Sequence, residues 1–471
     1  MSAREPTGRP TLHPPGRRPT DGAPVTFVFE GRTLAAQAGD TVASALLRNG
    51  VRVLGRSAKY HRPRGYRCGR GHCSACAMRI DGLPGVRACV TPVRHGMTVE
   101  REHAWPDAGH DLLHAAEALA PLMPPGFYYR RFRRSPRAFA LAERAMALAS
   151  GQGTLPAAEA AARAAAARCG RRARLDVLVV GGGVAGMSAA LAAADAGVAV
   201  LLVEQDDRLG GRLGDARPAA GLTDLVTAHP GVEVLTGAEA VAWYEEGMVA
   251  VDRRPDLLLA SPTVVVLATG AYDRGLPFPG WDLPGVMLTS GALRLIERHG
   301  LRPGSQAVVL TTDDHGHDVA RRLDAAGVAV VGVADCRPAQ AVRQTLLDET
   351  AALGATVVVA ARGARAHGLG RVRALTVLRG ACDARSPERR PTARFACDLV
   401  VVSAGVRPAD DLAYQATARG SLVLAAGGGT DAGPLLAGLV AGARTADEAI
   451  AQGAAAGSVA ARRRRAAADP A

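Results

Sequence analysis

Six residues, Gly181-Gly182-Gly183-Val184-Ala185-Gly186, constrain this chain more than any others. They follow an apolar run from Leu175 to Val180 and open a helical pattern from Val184 to Ala196 that stops at Gly197, after which a second apolar run covers Val198 to Val203. A strand, a G-x-G-x-x-G turn, a helix and a parallel strand make a β-α-β unit of the dinucleotide-binding kind. Gly181 permits the tight turn, and Gly186 permits close packing of helix on strand. Gly183 lets the backbone approach a pyrophosphate at the helix N-terminus, which Val184 and Ala185 begin. Glu204, at the end of the second strand, is placed to accept hydrogen bonds from a ribose, and its charge disfavours a 2′-phosphate. The expected ligand is FAD or NAD, not NADP; the alternative is a doubly wound fold without a nucleotide.

Val-rich strands recur at Thr263 to Leu267, Ala307 to Leu310, Val328 to Val333, Thr356 to Ala360 and Leu399 to Val402. Helical segments between them predict parallel, doubly wound sheets. The stretch Ala307 to Asp335 repeats the strand, helix, strand plan, so a second nucleotide-type fold is expected, inserted into the first. Its turn reads Thr311-Thr312-Asp313-Asp314-His315-Gly316. Two carboxylates where phosphates should lie would repel them, although Asp335 remains placed for a ribose. NAD(H) is expected to bind there weakly if at all, the other reading being a domain kept for structure.

Residues 1–24, rich in Pro, Gly, Arg and Thr without apolar periodicity, are expected to be a disordered lead-in. Val25 to Phe29, a Glu30-Gly31 turn and Thr33 to Ala36 predict a hairpin. A helix follows, capped by Asp40, with Val42, Ala45 and Leu46 on one face and a stop at Asn49-Gly50. Ala77 to Ile80, an Asp81-Gly82 turn, Arg87 to Val93 and Met97 to Glu100 predict the closing strands of a β-grasp-like domain that ends near Arg101. Within it Cys68, Cys73, Cys76 and Cys89 are spaced C-x4-C-x2-C-x12-C. The first three match the plant-type [2Fe-2S] pattern, in which the fourth cysteine arrives from elsewhere. Thiolates are soft, anionic ligands suited to iron, and Gly69, Gly71, Ser74 and Ala75 are small enough for backbone N–H groups to reach sulfur. Zinc, the competing metal, favours two C-x2-C knuckles and finds one. Cys169, Cys336, Cys382 and Cys397 show no ligand spacing and are expected to be packing residues. His61, His72 and His103 lack it too, though His72, beside Cys73, is placed to tune a cluster by hydrogen bonding.

The resulting plan is α/β. It has a lead-in over 1–24, a β-grasp [2Fe-2S] ferredoxin-like domain over 25–101, and a helical connector over 102–173 holding Phe127 to Phe132 and the Ala-rich Pro156 to Arg168. A two-dinucleotide-binding (Rossmann-like) fold follows, with a first dinucleotide-binding domain in two parts at 174–300 and 396–457, which the resemblance given below implies bind FAD as in a flavoprotein fold, an NAD-binding-like insertion at 301–395, and a solvated basic tail over 458–471. At 471 residues, 48% hydrophobic and 21% charged, disorder throughout is excluded. No run approaches the ~18 apolar residues of a membrane span, and the N-terminus has no apolar signal core. A cytoplasmic chain without an integral membrane segment is expected. Net charge is +13, with Lys59 the single lysine, and the charge concentrates at Arg130 to Arg137, a candidate docking stretch with the aromatics before it, and at Arg462 to Arg465. Only 4% of residues are aromatic, which argues against stacking platforms for single-stranded nucleic acid. No C-x4-C follows the glycine loop and no C-x2-C occurs in the second unit, so a dithiol mechanism has no cysteines to run on. G-x-S-x-G and H-E-x-x-H are also missing, and no catalytic residue can be named.

Two further features resemble the FAD domains of two-dinucleotide flavoproteins: Gly210-Gly211-Arg212 after the acidic residue, and the strand end Ala268-Thr269-Gly270. The resemblance implies FAD, with Gly211 and Arg212 along the flavin side of the pocket and Thr269-Gly270 near the dinucleotide. Longer segments, Gly39 to Leu47, Gly55 to Gly65, Gly126 to Arg130, Ala268 to Arg274 and Phe278 to Met287, carry a wider resemblance. They resemble the N-terminal half of the alpha subunit of heteromeric sarcosine oxidase and its relatives, the opine oxidases, dye-linked proline dehydrogenases and hydrogen cyanide synthase.

Members of that family hold FAD, NAD or ATP in the corresponding pocket, so NAD in place of FAD stays open. The sarcosine oxidase alpha subunit lacks the cluster cysteines, whereas all four stand here, as in the small iron–sulfur subunits of hydrogen cyanide synthase and opine oxidase. The chain looks like those two subunits fused, and it stops at Ala471 without the folate-binding half. The resemblance implies an oxidoreductase: the FAD- and [2Fe-2S]-containing electron-transfer subunit of a hetero-oligomeric amino acid or secondary amine dehydrogenase or oxidase of the sarcosine, proline, hydroxyproline or opine type. Its partner would be a glycine-oxidase-like flavoprotein subunit bearing the substrate site. Two other readings are a self-contained NADH-dependent flavin/iron–sulfur reductase and a non-catalytic scaffold with a bound nucleotide.

Overall fold

Period-two burial begins the chain, with Phe27 and Phe29 turned inward along Val25–Phe29. The computed structural model describes residues 25–102, 104, 111–115, 117, 126–150, 156–166, 168–214, 218–244, 247–253, 255–379, 391–416 and 433–468. The expected lead-in, His103 and Cys382 lie outside them. By contact, residues divide into a first unit, Met1–Ala161 with Asp273–Gly405, and a second, Ala162–Tyr272 with Val406–Ala471.

In the first unit Val25–Phe29 pairs antiparallel with Arg32–Ala36 across a turn in which Glu30 and Gly31 both take positive φ. A five-stranded sheet runs in the order Arg32–Ala36, Val25–Phe29, Thr98–Arg101, Ala77–Ile80, Leu83–Arg87, with one parallel pair, Val25–Phe29 beside Thr98–Arg101. Helix Val42–Arg48 buries Val42, Ala45 and Leu46. Its cap is Thr41 rather than Asp40. Ser44 N donates to Thr41 Oγ1 at 3.2 Å while Thr41 N donates to Ser44 Oγ at 2.9 Å, a reciprocal capping box. Asp40 is occupied otherwise, accepting from Gln37 N at 3.0 Å, Ser44 Oγ at 2.8 Å and Arg48 Nε at 3.1 Å. The expected strand Arg87 to Val93 is also corrected. The tight Asp81-Gly82 turn, both residues at positive φ, brings Leu83–Arg87 back as the hairpin partner, and Ala88 N then donates to Cys76 O at 3.1 Å as the chain leaves the sheet.

The same unit holds a five-stranded parallel sheet in the order Val286–Leu288, Leu399–Ser403, Gln306–Thr311, Ala329–Asp335, Thr356–Val358. Helices Thr289–His299, His315–Ala325 and Gln344–Ala352 accompany it, with an antiparallel sheet of Ala361–His367, Ala374–Arg379 and Pro391–Ala396. Leu46, Tyr66 and Met78 of the first sheet's domain share one apolar core with Leu295, Val309 and Leu323. The two sheets are therefore not independently packed.

The second unit is a mixed sheet in the order Val232–Thr236, Val200–Glu204, Cys169–Val180, Asp256–Leu267, Val249–Arg253, Glu239–Trp243, the first four strands parallel. Helix Val184–Asp195 lies against helix Ala446–Ala468, and glycine makes this possible. A Cβ on Gly453 would stand 2.1 Å from Ala185 O, and one on Gly457 2.1 Å from Ala189 O. The arginine run expected as a solvated tail is the end of that second helix. Arg463 donates to Gly433 O, Arg464 to Asp176 and Arg465 to Ala196 O, so backbone and carboxylate acceptors bind the run to its own unit. Cys169, expected to pack, is exposed, Cys336 half-buried and Cys397 buried. Of the connector, helices Phe127–Phe132, Pro136–Ser150 and Ala158–Ala166 are seen. Among the described residues no helix is long and apolar enough to cross a membrane.

Candidate functional sites: a four-thiol loop and a glycine cradle

The chain from Cys68 to Cys76 doubles back on itself, with Gly69, Gly71 and the non-glycine Ser74 at φ 67°, 79° and 53°. Glycine takes such values without strain, and Ser74 marks a backbone held by its surroundings. The turns aim N–H groups at sulfur. Gly71 N donates to Cys89 Sγ at 3.3 Å, and the N–H groups of Arg70 and Cys73 donate to Cys68. Cys68, Cys76 and Cys89 are buried while Cys73 faces solvent. The four thiols form a chain of contacts, Cys73 to Cys68 to Cys89 to Cys76. Hydrogen bonds from the Cys73 and Cys89 thiols hold Cys68 well below the usual thiol range. The bond to Cys68 drives Cys73 up.

Among the described residues no three His, Cys, Asp or Glu side chains close around a single metal ion. Four thiols strung around a loop, with backbone N–H groups turned toward them, suit a two-iron cluster, which divides its ligands between two metals. His72 is exposed beside Cys73. His61 is buried with its Nδ1 hydrogen-bonded to Asp111 Oδ2 at 3.0 Å.

Spacing gave no sign of two other residues at this loop. Tyr66 lies wholly buried, with its hydroxyl against Gly69. Burial, together with the negative charge that the neighbouring Cys89, Cys68 and Cys76 sulfurs can carry, pushes its phenol well above the usual range, while Arg294 opposes the shift. Arg294 comes from helix Thr289–His299, whose N-terminal end is fixed to the loop: Ser290 Oγ donates to Cys68 O at 2.8 Å and Leu288 N to Arg67 O at 3.0 Å. A Cβ on Gly291 would stand 2.0 Å from Arg67 O.

In the second unit the glycine loop has the geometry its residue types imply. Gly181, at φ 110°, passes so close to Ala268 that a Cβ would lie 2.3 Å from the carbonyl oxygen, and at Gly186 one would lie 1.8 Å from Gly181 O. Gly183 differs: its Cβ would meet only Gly211 Cα, at 4.0 Å. That bare stretch of backbone, at the start of the helix that Val184 and Ala185 open, is a cradle a side chain would fill, and it fits a pyrophosphate. Gly210 N donates to Gly182 O at 2.9 Å and ties the second glycine pair to the first.

Glu204 is buried at the strand end, its Oε2 accepting from Gly182 N at 2.6 Å and its Oε1 from Asp206 N at 2.8 Å. A carboxylate at that strand end is the group that accepts from a ribose hydroxyl in this kind of fold. Arg212 is half-buried. The Thr269 hydroxyl is committed to Ala409 O at 2.6 Å, and Gly270 takes φ 77°; this pair shapes the turn through its backbone.

The second strand, helix, strand element is closed by its own side chains. Asp313 Oδ1 accepts from Ser403 Oγ at 3.0 Å and Gly316 N at 3.3 Å, the place at a helix start where a phosphate would accept. Arg337 donates to Asp314 at 2.7 Å and to Asp335 at 2.8 Å, and His317 Nε2 lies 3.1 Å from Asp335. The Arg337 bond holds Asp314 below the usual carboxylate range. Burial would raise Asp335, but the bonds from His317 and Arg337 outweigh it and bring it below. Asp335, expected to be placed for a ribose, is thus enclosed in a salt-bridge network.

A family described as "2Fe-2S iron-sulfur cluster binding domain" matches residues 22–104, and one described as "Pyridine nucleotide-disulphide oxidoreductase" matches 147–253 and 176–453. The chain is 34% identical over 351 residues to sarcosine oxidase subunit alpha of Rhizobium meliloti, covering 68% of this chain and 35% of that one. It is 42% identical over 85 residues to hydrogen cyanide synthase subunit HcnA of Pseudomonas aeruginosa, covering 18% of this chain and 81% of that one. The chain thus spans about a third of the length of the sarcosine oxidase alpha subunits it matches. L-proline dehydrogenase from P. horikoshii shares the fold, with a TM-score of 0.61 over 96% of this chain and 75% of that one at 20% identity. A [2Fe-2S] cluster and FAD are the cofactors these two domain types carry. The chain belongs to the pyridine nucleotide-disulphide oxidoreductase family, in a form that carries a 2Fe-2S cluster binding domain ahead of its flavoprotein fold.

Proposed function

We propose that this chain is the electron-transfer subunit of a heteromeric dehydrogenase or oxidase acting on an amino acid or secondary amine of the sarcosine, proline, hydroxyproline or opine type. The observation that carries the reading is the filled second turn. Asp313, Asp314, Arg337 and Asp335 bond to neighbouring groups of their own element where a nicotinamide dinucleotide would lie, while the thiol loop and the first glycine turn keep their geometry. A chain built for two electron carriers, with no open second nucleotide turn among its described residues, takes its electrons from outside. The curated relatives support this, because they are named as subunits of sarcosine oxidase and hydrogen cyanide synthase.

In this reading Cys68, Cys73, Cys76 and Cys89 hold the cluster, and Gly181, Gly183, Val184, Ala185, Gly186, Glu204, Gly211, Arg212, Thr269 and Gly270 surround FAD. When bound, FAD exchanges two electrons and the cluster one. The protein's own contribution is to keep Gly183 bare for the pyrophosphate, hold Glu204 for the ribose and turn N–H groups toward sulfur. The substrate site belongs to a glycine-oxidase-like flavoprotein partner. The stretch from Phe127 to Arg137 supports docking, since Tyr129 is 55% exposed and Arg130, Arg131, Arg133, Arg134 and Arg137 all face solvent.

The test is anaerobic. The purified chain should contain about two irons and one FAD, show no flavin bleaching with NADH, and be reduced when a co-purified partner is given sarcosine or proline. Rapid bleaching by NADH without a partner would overturn the reading in favour of a self-contained reductase.

A further inference from the structure

Tyr66, two residues before Cys68, is 1% exposed, and its hydroxyl is buried with no hydrogen-bond partner among the described residues. A buried O–H without an acceptor is costly and rare. The hydroxyl is aimed at the cluster loop: a Cβ on Gly69 would stand 2.5 Å from Tyr66 Oη. The same Cβ would stand 3.3 Å from Cδ of Arg294, a residue only 9% exposed. A phenol and an arginine side chain thus converge on the residue that follows the first ligand. They arrive from different directions, Tyr66 from the ferredoxin-like domain and Arg294 from the helix fixed to the loop through Ser290 and Leu288.

We propose that the Tyr66 phenol donates a hydrogen bond to a sulfur of the [2Fe-2S] cluster and that Arg294 sets its positive charge beside the same loop, the two together holding the cluster's reduction potential up. Reduction adds one electron to an already anionic cluster and moves no proton, so Tyr66 stays protonated throughout. A donor to sulfur and a buried cation both stabilise the more negative state, and a low local dielectric strengthens both effects. The subdomain with the filled nucleotide turn thereby acquires a task, which is to supply the cluster's cation. This inference rests on the cluster and not on the identity of the amine.

The experiment is an EPR-monitored redox titration of the full chain, with iron and acid-labile sulfide measured on each preparation. Tyr66→Phe and Arg294→Gln should each lower the midpoint potential, while Arg294→Lys stays near wild type. Resonance Raman Fe–S stretches of the wild type should shift in D2O, and part of that shift should be missing in Tyr66→Phe. An unchanged potential and an unchanged isotope response in Tyr66→Phe overturn the proposal. If that variant does not keep its cluster, a wild type without an isotope response and an Arg294→Gln potential equal to wild type overturn it instead. A wild type without iron and sulfide would overturn the cofactor assignment itself, a result distinct from a normal cluster with an unmoved potential.

Discussion

The turn at Gly181–Gly186 and the turn at Thr311–Gly316 follow one plan, a parallel strand, a sharp bend, a helix and a second parallel strand ending in a carboxylate. They differ in what stands before the helix. In the first, Gly183 leaves bare backbone, and the terminal Glu204 accepts from the amide N–H groups of Gly182 and Asp206. In the second, Asp313 occupies the helix start and Asp335 is locked by His317 and Arg337. The lesson is that a nucleotide fold is kept by its apolar strands, whereas a nucleotide site is kept by the absence of side chains at one or two positions. Changing those positions converts a binding element into a structural one without disturbing the sheet.

The sharpest way to break this comparison is to write the second turn into the first. Gly183→Asp has room for its side chain, so the fold should survive with a near wild-type melting temperature. A carboxylate about 4 Å from a phosphate at an effective dielectric near 20 should weaken FAD on the order of a thousandfold. Flavin retention on gel filtration checks it, and a variant that keeps its FAD would refute the account of the bare cradle. Next comes Cys73→Ser, which should abolish the iron–sulfur absorbance and iron content but leave FAD bound, because thiol loop and glycine loop belong to different units. Loss of both together would show that the units do not stand alone.

In the filled turn the expectation inverts. Asp335→Ala should leave FAD content unchanged yet lower stability by about 2 kcal/mol, since it removes the carboxylate partner of the buried His317 and one partner of the part-exposed Arg337; denaturant unfolding measures it. The last effect concerns Asp40. Burial raises its pKa, but bonds from His299, Arg48 and the Gln37 amide bring it down to about 2 from an ordinary 3.8. A depressed carboxylate stabilises above its unfolded pKa and loses that contribution as pH falls from about 4 to about 2, worth roughly 2 kcal/mol. Asp40→Asn should flatten the pH dependence of unfolding in that window relative to wild type.

What could be read ahead of the structure was whatever is decided over a few neighbouring residues. Cysteine spacing, the glycine pattern and Val-rich strands are local, and each appears where expected. The cap on the first helix was misplaced by one residue because Asp40 and Thr41 are both good caps, and the choice fell to the Thr41–Ser44 reciprocal pair while Arg48 drew Asp40 away. Tyr66 and Arg294 were not legible. Neither carries a motif, and their role depends on a helix more than two hundred residues distant docking Ser290 onto Cys68. Arg337, likewise, is an ordinary surface-type residue until the sheet sets it between Asp314 and Asp335. The arginine run is helical where a loose tail is expected, with Arg462 and Arg465 exposed in it while Asp176 and two backbone carbonyls accept bonds from Arg463, Arg464 and Arg465.

The glycine contacts between helix Ala446–Ala468 and helix Val184–Asp195 set an order of assembly. The helix that begins at the cradle finds its closest neighbour only in a segment synthesised long afterwards, with the parallel sheet of the other unit emerging in between. Loop closure of that length is slow, and contacts so distant in sequence form late. During synthesis the first β-α-β unit therefore waits, partly unpacked, while the intervening segment can already fold. FAD is thus acquired late in folding, whereas the first unit, whose residues have all emerged once Gly405 is made, can receive its iron and sulfide while the ribosome is still at work.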